Sequence, residues 1–189
     1  MSKVPSVAFA HFGLHVRDLE RMERFYTSFL GFIVTDRGNL GAVRLVFLSR
    51  DPREHHQIVL VSGRAENLDQ SVLNQISLRV PDLAALRYFH ANAATHGGHD
   101  IQPVTHGNAI SVYVRDPEGN RIELYIDTPW YVTQPLRAPI DLAKPDAALW
   151  QEVETLARSR PGFRPVEEWR REMESRLARS LSNQAPTNS

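Results

Sequence analysis

The chain writes one phrase twice. AHFGLHVRDL, Ala10 to Leu19, returns 64 residues later inside LNQISLRVPDL, Leu73 to Leu83, so that Leu14, Val16, Asp18 and Leu19 fall on Leu78, Val80, Asp82 and Leu83. The offset persists: Met22, Phe25, Tyr26, Phe29 and Leu30 recur as Leu86, Phe89, His90, Ala93 and Ala94. Both sets are spaced i, i+3, i+4, i+7, i+8, which places them on one buried stripe of an amphipathic helix. Asp18 and Asp82 stand at N-cap positions, and Gly31 and Gly97 close the helices. A chain that repeats itself this way builds the same unit twice.

Each helix follows an alternating strand, Phe9 to Val16 or Leu73 to Val80, and precedes three short β-rich runs. These are Phe32 to Asp36, Val43 to Ser49 and Gln57 to Val61 in the first half, and Asp100 to Val104, Ala109 to Arg115 and Arg121 to Ile126 in the second. SRDPREHH and RDPEGN supply the turn chemistry that makes the last two runs of each half hairpins. The expected fold class is α+β: two βαβββ modules, about residues 7–64 and 71–127, forming one half-open barrel. One module alone would leave a sheet face exposed, whereas two can line a shared cleft.

From Asp127 the pattern changes to the Pro-rich TPWYVTQPLRAPIDLAKP and then to two helical stripes. Leu149, Val153 and Leu156 mark the first; Val166, Trp169, Met173 and Leu177 mark the second, with Pro165 expected at its first helical position. Residues 1–127 thus form one domain and 128–189 a helical C-terminal extension, expected to pack on the barrel or on a second subunit rather than act as a lid. SLSNQAPTNS is expected to be disordered.

Composition narrows the partners. The 22 basic and 22 acidic residues cancel, so no overall field recruits nucleic acid or an anionic membrane. No apolar run approaches the ~18 residues of a membrane span, and the N-terminal stretch lacks a signal-peptide core, so the expected setting is cytoplasmic. Cysteine is absent, which removes thiolate ligands, disulfides and a cysteine nucleophile; eight histidines and the carboxylates remain as metal-capable groups.

Strand parity sorts the cleft residues. With Phe12, Leu14 and Val16 packed under the helices, His11, Gly13 and His15 face the other way, as do Gln75, Ser77 and Arg79 in the second copy. In the last strand Ile122, Leu124 and Ile126 point to the helices, leaving Arg121, Glu123 and Tyr125 inward. A turn centred near Glu118 sets Tyr113 opposite Glu123. His11, Gln75 and Glu123 then offer one imidazole and two kinds of oxygen, a facial set for a divalent ion. Each also has a plain structural reading, as a hydrogen-bonded cleft residue or, for Glu123, as a partner of Arg121 or Arg115.

HFGLHVRDLERMERFYTSFLGF and VRDPEGNRIELYID together resemble the vicinal oxygen chelate superfamily, over about residues 7 to 127. That superfamily includes glyoxalase I, fosfomycin resistance proteins, bleomycin-binding proteins and type I extradiol dioxygenases. The resemblance implies metal ligands from the first and fourth strands of each module, here His11, Val59, Gln75 and Glu123. Val59 cannot coordinate, which argues against a four-ligand glyoxalase or epimerase. Extradiol dioxygenases leave that position empty and hold Fe(II) with two His and one Glu.

REHHQIVL resembles the extradiol stretch carrying the acid/base histidine, which falls on His56, although strict alternation from Val59 would turn His55 inward unless a loop or bulge intervenes. HGNAISVYVRDPEGNRIELY resembles the run that positions substrate, through His106 and Tyr113. Gln75 departs from the pattern, standing where the second iron-binding histidine is expected. The implied activity is extradiol-type cleavage of a catechol-like aromatic with O2 at a His/Gln/Glu centre, with Fe(II) as metal and Mn(II) or another divalent ion as the alternative. Superfamily members are commonly homodimers. The competing expectations are another enzyme of the superfamily, or a non-catalytic small-molecule-binding resistance protein.

Overall fold

The computed structural model describes residues 8–65 and 73–182, with side chains through 179. The chain divides into two compact units. Of the described residues, the larger comprises 10–65, 73–104 and 111–126, and the smaller 8–9, 105–110 and 127–182.

In the larger unit the element order repeats. The first copy runs β1 (Phe12–Val16), α1 (Leu19–Arg24), β2 (Ile33–Leu40), β3 (Val43–Ser49) and β4 (Ile58–Ser62). The second runs β5 (Ile76–Arg79), α2 (Leu83–Asn92), β6 (His99–Thr105), β7 (Ala109–Arg115) and β8 (Arg121–Asp127). β1 and β5 begin 64 residues apart, and so do α1 and α2. One sheet has the order β1-β4-β3-β2 and the other contains β6-β7-β8-β5, and both stay open. In each, the first strand pairs in parallel with the fourth, Gly13 beside Val59 and Ser77 beside Glu123. The two copies therefore share a register as well as an element order.

The caps follow the sequence. Asp18 accepts from the Arg21 N–H and Asp82 from the Ala85 N–H, each satisfying a donor that the first helical turn leaves unpaired. Met22, Phe25, Tyr26, Phe29 and Leu30 are buried, as are Leu86 and Ala93. Two details depart from the expected stripes. After α1 the chain widens into a π-helical turn, Phe25–Phe29, where the second copy stays α-helical. After α2 it tightens into a 3₁₀ turn, Ala94–His96, which rotates Ala94 out to solvent instead of burying it.

Side chains lock the two copies together. Glu118, in the β7–β8 turn, accepts from the backbone N–H groups of Arg17 (2.7 Å) and Asp18 (2.8 Å) at the end of β1. Phe29 meets Phe89 edge to face at 5.4 Å. The buried Tyr26 hydroxyl donates to Asp116, whose carboxylate also accepts from the Glu118 and Asn120 N–H groups and the Asn120 amide.

The smaller unit contains β9 (Trp130–Tyr131), β10 (Ala138–Pro139), α3 (Asp146–Arg158), β11 (Arg164–Pro165) and α4 (Val166–Ser182). β9 and β11 pair antiparallel. Leu149 and Val153 are buried along α3 as expected, joined by Ala157, while Leu156 is half-buried. Trp169 of α4 stacks on Tyr131 with centroids 5.4 Å apart, whereas Leu177, at 59% exposure, leaves the stripe. Pro165 ends β11 instead of opening the helix, which begins at Val166. α4 runs through Ser180 to Ser182, so it takes in the start of the stretch expected to be disordered; residues 183–189 lie outside the described residues. No helix among the described residues is long and apolar enough to cross a membrane.

Candidate active site

The parity of β1 is as read from the sequence: Leu14 and Val16 are buried, and His11, Gly13 and His15 are exposed on the other face. His11 stands immediately before β1 and Gln75 immediately before β5, the same place in the two copies. A Cβ on Gly13 would sit 3.4 Å from a Val59 methyl, so Val59 shares that face. The shared register makes Val59 the counterpart of Glu123. One copy thus presents hydrocarbon where the other presents a carboxylate.

Glu123 is 7% exposed and collects three neutral donors. Ser111 Oγ donates to Oε1 at 2.8 Å; Gln75 Nε2 at 2.9 Å and Ser77 Oγ at 2.6 Å donate to Oε2. Burying a carboxylate costs several kcal/mol unless polar partners surround it, and these three provide that shell. The backbone bond from Asp116 N–H to the Asn120 carbonyl sets the hairpin register, and that register continued along β7 and β8 puts Tyr113 opposite Glu123. The Arg121 guanidinium lies 5.9 Å from the centre of the Tyr113 ring. Ser111 was not singled out in the sequence, although it lies two residues before Tyr113 and so on the same strand face.

The histidines form a second cluster. The His11 and His56 rings are 4.1 Å apart, centroid to centroid. Phe47 of β3 packs against His55 at 5.6 Å and His56 at 5.1 Å. His56 lies in the loop ahead of β4, beyond the reach of strand alternation, and this lets it and not His55 meet His11. Burial, helped by His11 and His55, lowers the His56 pKa below that of an ordinary imidazole. His55 places Nδ1 3.0 Å from His56 Nδ1 and Nε2 3.0 Å from Asp36 Oδ2.

His106 belongs to the smaller unit. Its Nδ1 lies 2.6 Å from the Leu136 carbonyl oxygen, so the neutral ring carries its proton there. Gln134 Nε2 donates to the His106 carbonyl at 2.8 Å.

The residues expected to bind metal and move protons therefore come together as two pairs, Gln75 with Glu123 and His11 with His56. Among the described residues no group of three or more His, Asp or Glu is placed to hold a metal ion. The Gln75 amide directs its nitrogen at Glu123 and at Ser77 Oγ. One imidazole, one amide oxygen and one carboxylate suit a divalent ion of borderline or oxygen-preferring character. On donor chemistry the residues fit.

A family model described as the Glyoxalase/Bleomycin resistance protein/Dioxygenase superfamily matches residues 8–124. Biphenyl-2,3-diol 1,2-dioxygenase 3 of Rhodococcus globerulus is 32% identical over 123 residues, 62% of this chain and 62% of that protein. The chain thus matches less than two thirds of this relative's length. Among solved structures, a glyoxylase/bleomycin resistance protein/dioxygenase domain from Frankia sp. EAN1pec superposes with a TM-score of 0.56 at 21% identity, covering 66% of this chain and all of that one. The fosfomycin resistance protein FosX from Listeria monocytogenes, solved with Mn(II) and a sulfate ion, gives 0.54 at 16% identity over 66% of this chain and 95% of that one. At these identities the structural likeness speaks for the fold.

Proposed function

The chain belongs to the glyoxalase/bleomycin resistance protein/dioxygenase superfamily, and from that premise we propose that it is a metal-dependent extradiol-type dioxygenase opening a catechol-like aromatic ring with O2. The observation that carries this reading is the pairing of His56 with His11: the histidine expected to move protons packs on the imidazole expected to hold metal. The relative from Rhodococcus, named for biphenyl-2,3-diol, supports the aromatic diol as substrate class.

His11, Gln75 and Glu123 would hold a divalent ion, Fe(II) first and Mn(II) or another ion as alternative. Bound there, the ion would supply a Lewis-acidic centre able to bring diol and O2 together. His56 takes the proton from one hydroxyl of the diol and returns it after the ring opens, a role suited to an imidazole near neutral pH. One ring C–C bond breaks and both atoms of O2 enter the product, so no external reductant is required. Tyr113 presents its phenol on the Glu123 face to steer a substrate oxygen. The part assigned to His106, also at a substrate oxygen, carries over from the resemblance alone, as does a homodimeric assembly.

The three protein donors on Glu123 favour one competing reading, a non-catalytic protein that binds a small molecule. Metal content separates the two. Protein purified without air and reloaded with Fe(II) or Mn(II) should bind about one ion per chain and form yellow ring-opened product from a catechol panel that includes biphenyl-2,3-diol. A protein that retains no metal and consumes no oxygen with any of these diols contradicts the proposal.

A further inference from the structure

Taking His56 as the proton-transfer group above, we infer that His55 and Asp36 are positioning residues that fix which nitrogen of His56 carries its proton. A β-bulge between Val34 and Asp36 shifts the β2–β3 register and sets Asp36 opposite Phe47, the residue whose ring packs on both histidines. Asp36 Oδ2 lies 3.0 Å from His55 Nε2, and His55 Nδ1 lies 3.0 Å from His56 Nδ1.

An ionised carboxylate only accepts, so His55 carries its proton on Nε2. In the neutral ring Nδ1 of His55 is then a bare acceptor, and the nitrogen facing it, His56 Nδ1, must be the donor. The lone pair of His56 is left on Nε2. Asp36, His55 and His56 thus form a relay of fixed direction that ends in one basic nitrogen on a ring packed against His11. Without Asp36, His55 can reverse its tautomer, donate from Nδ1 and push the His56 proton to Nε2, where the ring could no longer accept one.

The test uses the metal-free, ¹⁵N-labelled 189-residue chain at about pH 8, where unperturbed imidazole is neutral. Two-bond ¹H–¹⁵N spectra report the tautomer of each ring. His56 should show a protonated Nδ1 and a bare Nε2 in the parent protein, and Asp36→Ala and His55→Phe should each raise the share protonated at Nε2. Predominant Nε2 protonation in the parent protein, or the same His56 tautomer in all three proteins, overturns the relay. In metal-loaded enzyme the two variants should lose about tenfold in kcat with KM changed less than twofold, since ring orientation matters to proton transfer and not to diol binding. The tautomer readout needs neither metal nor diol, so a failure of the dioxygenase reading would appear separately, as absent oxygen uptake beside an intact relay.

Discussion

At the scale of single residues the proposed metal site turns on Gln75. The amide stands just before β5, where the first copy has the His11 imidazole before β1, and it touches Glu123. A carboxamide oxygen is a harder and weaker donor than imidazole, so the centre should hold Fe(II) less tightly than a two-His site and discriminate less against Mn(II). Gln75→His should tighten Fe(II) binding on the order of tenfold, about 1.4 kcal/mol, in a competition titration with a chelator. An unchanged affinity would remove Gln75 from the ligand set.

Asp51 lies in the β3–β4 loop that leads to the histidines. Hydrogen bonds from the Arg53 side chain and backbone hold the Asp51 carboxyl down at about 2. A depressed folded pKa means that this contribution to stability is complete above the ordinary carboxylate range and is lost as pH falls toward about 2. Arg53→Ala should therefore raise the Asp51 midpoint toward the ordinary value in a carboxyl-resolved NMR titration.

At the scale of elements, the β7–β8 turn is where the second copy grips the first. Asp116 is buried and accepts from two backbone N–H groups, the Asn120 amide and the Tyr26 hydroxyl. Asp116→Ala leaves these donors without their acceptor and should cost about 2–4 kcal/mol in urea unfolding, with an unchanged m-value. Asp116→Asn keeps one acceptor oxygen and should cost less. Strands, caps and parity were legible in the sequence because each rests on local rules: an aspartate at an N-cap, a glycine at a helix end, a period of two along β1 and β8. Ala94 and Pro165 were misplaced because a 3₁₀ turn and a two-residue strand follow from packing that no local pattern carries. The bulge before Asp36, which orients the histidine relay, left no signal for the same reason.

At the scale of the whole molecule, the duplication fixes the frame and the two copies diverge at the proposed site. Val59 and Glu123 occupy equivalent register positions, and His11 and Gln75 each stand just before the first strand of their copy, so a twofold-repeated scaffold presents unlike side chains at matching places. That set of positions was readable from the offset and strand parity. Its grouping into a Glu123 cluster and a histidine cluster was not, since it depends on the loop that brings His56 onto His11 and on Ser111 reaching Glu123. The proposed ring cleavage is tested most directly by oxygen uptake of the Fe(II)-loaded 189-residue chain with biphenyl-2,3-diol, beside Glu123→Ala prepared identically. One O2 should be consumed per diol opened, and the variant should lose at least about a hundredfold in rate, ~2.7 kcal/mol. No uptake by the parent protein, or equal uptake by the two, would contradict it.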